Sequence, residues 1–222
     1  MSVPQSIFEP QRDWDAVYAK SASYHFGEEP SQIAQTALRY FRALGGQTET
    51  AVALDLGSGE GRDTAFLAAA GLRVVARDVS PVGLQKTREL LSRRAISAER
   101  VDLAVGDARE FKYPQNAYDL ALAANIYQFL PPAEVPRHIE RLQLAVKPGG
   151  ICAVGVFSPA MAAWGVSLDG FFAATADELL LYFPNDAWRL LDRTEYWTYR
   201  PATDSTPSFS YVVAQKLENA AS

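Results

Sequence analysis

The segment Asp55–Gly61 has the composition of a ligand-binding loop, because it places three glycines within five residues. Glycine permits positive φ angles and lets a backbone approach a ligand closely. An apolar run precedes the segment and a helical pattern follows it at Arg62. The N-terminus of a helix offers unpaired N–H groups to an anionic group such as a carboxylate. The loop residues that we expect to contact a ligand are Gly57, Ser58, Gly59 and Gly61.

Two aspartates narrow the kind of ligand. Asp78 ends the next apolar run, 21 residues after Gly57, and an ionised carboxylate has two oxygens that could accept hydrogen bonds from both ribose hydroxyls. Asp55 lies beneath the loop, where it could face a cationic amino group and would repel a pyrophosphate. The dinucleotide fingerprint also requires glycine or alanine at position 62, where this chain has Arg62. The pattern therefore favours a nucleoside ligand without a pyrophosphate.

The elements that position these residues alternate between apolar runs and helical repeats. Runs at 51–56, 72–76, 101–105, 118–124 and 151–157 predict buried parallel strands. Helical patterns begin near Ser31, Arg62, Ser80 and Ala133, and Ser31 and Ser80 are good N-cap residues. Segments 188–199 and 209–216 predict an antiparallel hairpin at the sheet edge. We expect an α/β, Rossmann-like, doubly wound sheet of seven strands, mostly parallel with a C-terminal antiparallel hairpin.

We expect residues 1–222 to form one domain. Residues 1–30 would be an N-terminal arm or a possible lid, 31–157 the cofactor-binding core, and 158–216 a substrate-side segment with the edge hairpin. The turn Lys147–Gly150 should separate the last helix of the core from its fifth strand. In the arm, packing and lid roles are equally open for an aromatic cluster of Trp14, Tyr18, Tyr24, His25 and Phe26.

Composition excludes several functions. A net charge of −5 and a pI near 5.1 argue against nucleic acid as the partner. One cysteine, Cys152, allows no disulfide framework, and two histidines far apart suggest no metal site. His138 should be a solvated side chain without a role. The chain has no apolar stretch long enough for a signal peptide or a bilayer span, so we expect a cytoplasmic protein without a membrane partner.

The segments Leu54–Gly61 and Gly106–Ala108, together with Asp78, resemble the class I S-adenosylmethionine-dependent methyltransferases over roughly residues 50–157. The resemblance implies S-adenosyl-L-methionine as cofactor. It implies that Asp78 binds ribose, that Asp107 meets the adenine amino group, and that the N–H of Ala108 reaches the adenine ring. The residues that it assigns to the cofactor are Asp55, Gly57, Ser58, Gly59, Gly61, Arg62, Asp78, Val79, Asp107, Ala108, Asn125 and Ile126.

In that family the segment after the fourth strand lines the methyl-transfer cleft. The substrate-side candidates here are Tyr24, Tyr127, Phe129 and Arg200. The chain is most similar to the tellurite-resistance and thiopurine-type enzymes, which implies a small-molecule acceptor. The tellurite-resistance enzymes carry a His-Arg pair where this chain has Tyr199–Arg200, and this departure argues against chalcogen oxyanions.

Methyl transfer to such an acceptor would proceed by in-line displacement, which needs alignment more than a base. We assign no catalytic residue. A protein N-methyltransferase and a catalytically silent S-adenosylmethionine-binding module remain as alternatives, and the oligomeric state is left open.

Overall fold

A computed structural model describes residues 12–20, 23–197 and 207–218. Its centre is a seven-stranded sheet with the strand order β3-β2-β1-β4-β5-β7-β6. The strands are β1 (Val52–Leu56), β2 (Arg73–Asp78), β3 (Val101–Val105), β4 (Tyr118–Ala124), β5 (Val146–Phe157), β6 (Trp188–Trp197) and β7 (Ser208–Lys216). The first five strands are parallel, while β7 runs antiparallel between β5 and the edge strand β6. This arrangement confirms the predicted fold class.

The helices are α1 (Trp14–Ala19), α2 (Gln32–Ala43), α3 (Arg62–Ala69), α4 (Pro81–Arg93), α5 (Val135–Ala145) and α6 (Ala176–Leu180). The Ser31 side chain caps α2 by accepting the Ala34 N–H, and Ser80 caps α4 in the same way. Such caps satisfy N–H groups that have no partner within the helix. Both helices therefore begin where the sequence indicated.

Helices cover both faces of the sheet. Ile33 and Leu38 of α2 and Leu67 of α3 pack in one apolar cluster with β1, β2, β4 and β5. Ile139 and Leu142 of α5 pack against the opposite face. The central strands are consequently buried on both sides, which explains why they read as continuous apolar runs.

Two parts of the chain differ from the sequence prediction. Strand β5 begins at Val146, so Lys147–Gly150 lies inside the strand and not in a separating turn. Val146 pairs with Tyr118, and a shift in register follows, with a positive φ of 77° at Gly149. Helix α1 was not predicted; it is six residues long and packs on α4. Among the described residues, no helix is long and apolar enough to cross a membrane.

Candidate active site

A cleft of about 710 Å³ opens beside the glycine loop. It lies at the carboxyl ends of the parallel strands, where the order reverses between β1 and β4, and such switch points are where open α/β sheets bind ligands. Eleven of the twelve residues assigned to the cofactor line it, and only Gly61 does not. These residues come from four segments of the chain, at the carboxyl ends of β1, β2, β3 and β4, so the sheet brings together groups that are far apart in sequence.

Backbone hydrogen bonds to β2 fix the conformation of the glycine loop. The N–H groups of Gly57 and Ser58 donate to the Arg77 carbonyl at 2.8 and 3.1 Å. Gly57 has φ of +73°, and a β-carbon there would lie 2.6 Å from Ile126 Cδ1. A larger residue at position 57 would therefore collide with the segment after β4.

Gly61, which was expected to contact the cofactor, does not line the cleft. It is the N-cap of α3, with φ of +85° and no side chain to satisfy the first N–H groups of the helix. A β-carbon at Gly61 would overlap Thr87 of α4. The packing of α3 against α4 therefore requires glycine at position 61.

Asp78 is a buried carboxylate at the floor of the cleft. One oxygen accepts the Gly59 N–H at 2.7 Å and the other accepts the Ser80 N–H at 2.9 Å. Burial raises the pKa of this carboxyl, and the backbone hydrogen bonds oppose the rise. The Val79 N–H is a third backbone donor to this carboxylate, so the group is fixed in place and keeps acceptor capacity for a ligand hydroxyl.

Asp55 is 2% exposed, and its Oδ2 accepts a hydrogen bond of 2.5 Å from the Thr64 hydroxyl. Burial raises the pKa of this carboxyl to about 7, and the nearby charge of Asp63 adds to the rise. Burial leaves the negative charge of Asp55 poorly compensated. A cationic group in the cleft would stabilise that charge.

Asp107 and Ala108 line the side of the cleft that follows β3. The Arg109 guanidinium binds the Asp107 carboxylate through Nε at 3.0 Å and lowers its pKa. Ala108 is buried, whereas Val79 is 51% exposed at the cleft rim. Asp107 is therefore ionised and oriented, with its ion pair at the protein surface.

Three buried oxygens of residues that line the cleft have no hydrogen-bond partner among the described residues: Ser58 Oγ, Asn125 Oδ1 and Gln128 Oε1. Asn125 also has a positive φ of 61°, which is uncommon outside glycine. Buried acceptors without a partner are costly, and the Ser58 and Asn125 oxygens, together with Asp55 and Asp78, suit a ligand rich in hydroxyl and ammonium donors. The cleft thus fits S-adenosylmethionine, with the loop backbone, Ser58 and Asn125 as its contacts.

Of the four substrate-side candidates, Phe129 lines the cleft. Tyr127 does not, and its assignment is wrong: the ring is fully buried in the core, and its hydroxyl donates to the His138 carbonyl. Tyr24 is also misassigned, because it packs on α4 and donates to the Lys86 carbonyl at 2.9 Å. Arg200 lies outside the described residues.

The prediction that His138 is solvated is wrong as well. The side chain is 4% exposed and lies 6.5 Å from the Tyr127 ring, measured between centroids. Burial lowers the pKa of its imidazole. Its place on α5 beside charged residues was misleading, because the helix turns this one position toward the core.

The N-terminal segment, residues 12–30 as far as described, borders the cleft with Arg12, Trp14, Tyr18, Phe26 and Gly27. Glu60 of the glycine loop fastens it, since one oxygen accepts the His25 N–H at 2.6 Å and the other binds Lys86 at 2.8 Å. Arg62 donates to the Phe26 carbonyl at 3.1 Å. The aromatic cluster is therefore divided: three rings face the cleft, while Tyr24 and His25 do not line it.

Sequence reasoning missed Gln128, Phe157 and Phe209 as cleft residues. Phe157 and Phe209 pair across β5 and β7, so only the strand order brings them to the cleft. Gln128 stood inside the segment after β4 that was already assigned to the cleft. Its polar side chain between two aromatic residues was the available signal.

Comparisons with known proteins agree with this geometry. Residues 53–150 match the family model described as a methyltransferase domain. Hemagglutinin 1 of Eikenella corrodens is 29% identical over 68% of this chain and 48% of its own length. The chain thus spans about half the length, or less, of the curated relatives that it matches.

Solved structures share the fold. NodS, an N-methyltransferase of Bradyrhizobium japonicum in complex with S-adenosyl-L-homocysteine, aligns with a TM-score of 0.67 and 16% identity over 92% of this chain and 99% of its own. TehB of Haemophilus influenzae aligns with a TM-score of 0.64 and 18% identity over 82% of this chain and 62% of its own. The match over residues 53–150 supports a methyltransferase domain, and the solved structures show the same fold. Both findings agree with the class and the cofactor that the glycine loop indicated.

Proposed function

We propose that this protein methylates a small-molecule acceptor with S-adenosylmethionine as the methyl donor. The observation that carries the proposal is the division of one cleft into two halves. Acids and the unpartnered oxygens of Ser58 and Asn125 line the part beside the glycine loop, and the rings of Trp14, Phe129, Phe157 and Phe209 line the cleft elsewhere. Donor and acceptor can therefore share one cavity, whose volume lies within the usual range of small-molecule sites.

The chain's own groups would act by binding and alignment. Asp78 holds the ribose hydroxyls, Asp55 stabilises the positively charged end, and the aromatic half excludes water from the acceptor. The cofactor supplies a methyl carbon on a sulfonium, so the acceptor's lone pair forms the new bond while the electrons of the C–S bond remain on sulfur. A proton on the acceptor atom is then released to solvent. Alignment supplies the rate enhancement that this mechanism requires.

The N-terminal segment supports a small acceptor. Trp14 and Phe26 border the cleft. The His25 N–H donates to Glu60 of the glycine loop, and Arg62 donates to the Phe26 carbonyl, so both bonds tie this segment to the loop and the start of α3. The space left beside these rings suits a small molecule better than the surface of a folded protein. We further propose a cytosolic site of action, which the single cysteine, Cys152, supports: it is buried as a free thiol and forms no disulfide.

The test begins with calorimetric titration of S-adenosylmethionine. We expect Asp78→Asn to weaken binding at least about tenfold, since hydrogen bonds to a charged group contribute about 1.5–3 kcal/mol. Asp186→Asn, an exposed acid outside the cleft, should bind like the wild type. Absence of heat at millimolar cofactor in the wild type would refute the proposal.

Isotope-labelled cofactor then separates the remaining functions. Transfer of label into the low-molecular-mass fraction of a cell extract supports the proposal. Label that enters only the protein fraction identifies a protein methyltransferase. Tight cofactor binding without transfer to either fraction identifies a silent binding module.

A further inference from the structure

The half of the cleft away from the glycine loop is built from aromatic rings. Phe129 is their centre: between ring centroids it lies 4.8 Å from Trp14 and 5.7 Å from Phe157, which also line the cleft, and 5.9 Å from the buried Phe171, which does not. The interplanar angles of these pairs are 75–82°, the edge-to-face geometry that aromatic rings prefer. Such a wall is rigid and apolar, and it suits a flat ligand.

Gln128 interrupts this wall with a polar group. Gln128 lines the cleft and is 1% exposed, and its Oε1 has no hydrogen-bond partner among the residues that the structure describes. It lies on the 3₁₀ helix Tyr127–Phe129, directly before the central ring. A ligand N–H or O–H that meets this oxygen recovers a factor of about 5 to 100 in affinity, because a buried acceptor without a partner is costly.

The charges of the cleft argue against a charged acceptor. The described acids that line it are Asp55, Glu60, Asp63, Asp78 and Asp107. All of them lie on the glycine loop, in the first turn of α3, on the strand ends beside the loop or on the loop after β3. The aromatic half has no carboxylate among its described residues to pair with an ammonium group. Arg12 borders the cleft with its guanidinium 5.2 Å from the Trp14 ring, so an anionic ligand is the competing possibility that the experiment must address.

We propose that the methyl acceptor is a flat, uncharged aromatic or heteroaromatic small molecule whose N–H or O–H group donates a hydrogen bond to Gln128 Oε1. This inference rests on the proposed function, because it places the acceptor in the same cleft. Gln128 is a specificity-determining residue here and not a base, since an amide oxygen does not take up a proton at neutral pH. The donor group of the ligand is thus recognised by geometry alone.

The probes are four naphthalenes that share one ring system. Protein saturated with S-adenosylhomocysteine is titrated calorimetrically with each of them in turn. 2-Naphthol carries an O–H donor and 2-methoxynaphthalene lacks it. 2-Naphthoate is an anion, and 2-naphthylmethylammonium is a cation. We expect 2-naphthol to bind at least about fivefold more tightly than each of the others. In Gln128→Leu the preference for 2-naphthol over 2-methoxynaphthalene should fall to within about twofold, with S-adenosylhomocysteine affinity unchanged.

Several results would overturn the inference. They are equal binding of 2-naphthol and 2-methoxynaphthalene by the wild type, tighter binding of either ion, binding of no naphthalene, and an undiminished preference in Gln128→Leu. The wild-type comparison needs no variant, so it remains decisive if Gln128→Leu does not fold. Failure of S-adenosylhomocysteine to bind would instead refute the proposed function, and it is measured first.

Discussion

Replacing Asp55 with asparagine removes a buried ionisable group and keeps its shape. The carboxyl is 2% exposed, and an amide oxygen can accept the same hydrogen bond from Thr64. Burial and the charge of Asp63 raise its pKa from 3.8 to about 7. The folded protein therefore holds a proton on this group over a pH range in which the unfolded chain has lost it.

The sign and size of the effect follow from this difference. A raised pKa contributes stability that is fully present below about pH 4 and is lost as the pH rises through about 7. At about 1.4 kcal/mol per pKa unit the full contribution is about 4 kcal/mol. Roughly 2 to 3 kcal/mol of it disappears between pH 5 and pH 8. The asparagine side chain of the variant Asp55→Asn does not titrate. We therefore expect the free energy of unfolding of Asp55→Asn, relative to that of the wild type, to rise by roughly 2 to 3 kcal/mol between pH 5 and pH 8.

The assay is urea unfolding without cofactor at pH 5, 6, 7 and 8, followed by tryptophan fluorescence and circular dichroism. Titrating groups that do not interact with Asp55 contribute equally to both proteins, so the difference between the two stability curves reports Asp55 together with the carboxyls whose charges raise its pKa, Asp63 and Asp78. Asp186→Asn, whose side chain is exposed, should run parallel to the wild type. Parallel curves for Asp55→Asn would refute the argument that burial controls this carboxyl.

Two further variants test the assignments made from the cleft. Tyr127→Phe removes the hydroxyl that donates to the buried His138 carbonyl. Urea denaturation should show a free energy of unfolding lower by about 1 kcal/mol, while cofactor affinity by calorimetry should stay within about twofold. A large loss of affinity would show that Tyr127 belongs to the cleft after all. Glu60→Gln removes the negative charge that faces the Lys86 ammonium, which is 12% exposed and also donates to the Ser23 carbonyl. We expect the free energy of unfolding to fall by about 1 to 2 kcal/mol, because a neutral amide replaces a charged hydrogen-bond acceptor, and tryptic cleavage within 12–30 to become faster. Unchanged proteolysis would show that Glu60 does not fasten this segment.

The sequence predicted the sheet well because its central strands are buried on both faces. Val101–Val105 and Tyr118–Ala124 have the predicted bounds, and apolar runs that end in Gly or Asp leave little ambiguity. Strand β5 was predicted too short, because its first residues contain Pro148 and two glycines. Its pairing partner Tyr118 is distant in sequence, so local composition could not reveal this extension.

The cleft was predicted better on its cofactor side than on its acceptor side. Tyr127 and Phe129 were both assigned to the acceptor side, because the resemblance places the segment after the fourth strand in the methyl-transfer cleft. They lie on a 3₁₀ helix, where successive residues are about 120° apart, so Tyr127 faces the core while Phe129 faces the cleft. A one-turn helix has no periodic pattern of its own, and only packing against α5 decides its orientation.

The acids around the glycine loop divide between two tasks that sequence spacing alone does not separate. We assign Asp55 and Asp78, which line the cleft, to the cofactor, whereas the two oxygens of Glu60 bind the His25 N–H and Lys86. Asp63 likewise accepts the Ser31 N–H at 2.6 Å. One stretch of backbone, residues 57–63, therefore holds the cofactor side of the cleft and fastens the segment that borders its acceptor side. A displacement of this loop would alter both halves together, because the two sets of contacts share the same peptide groups.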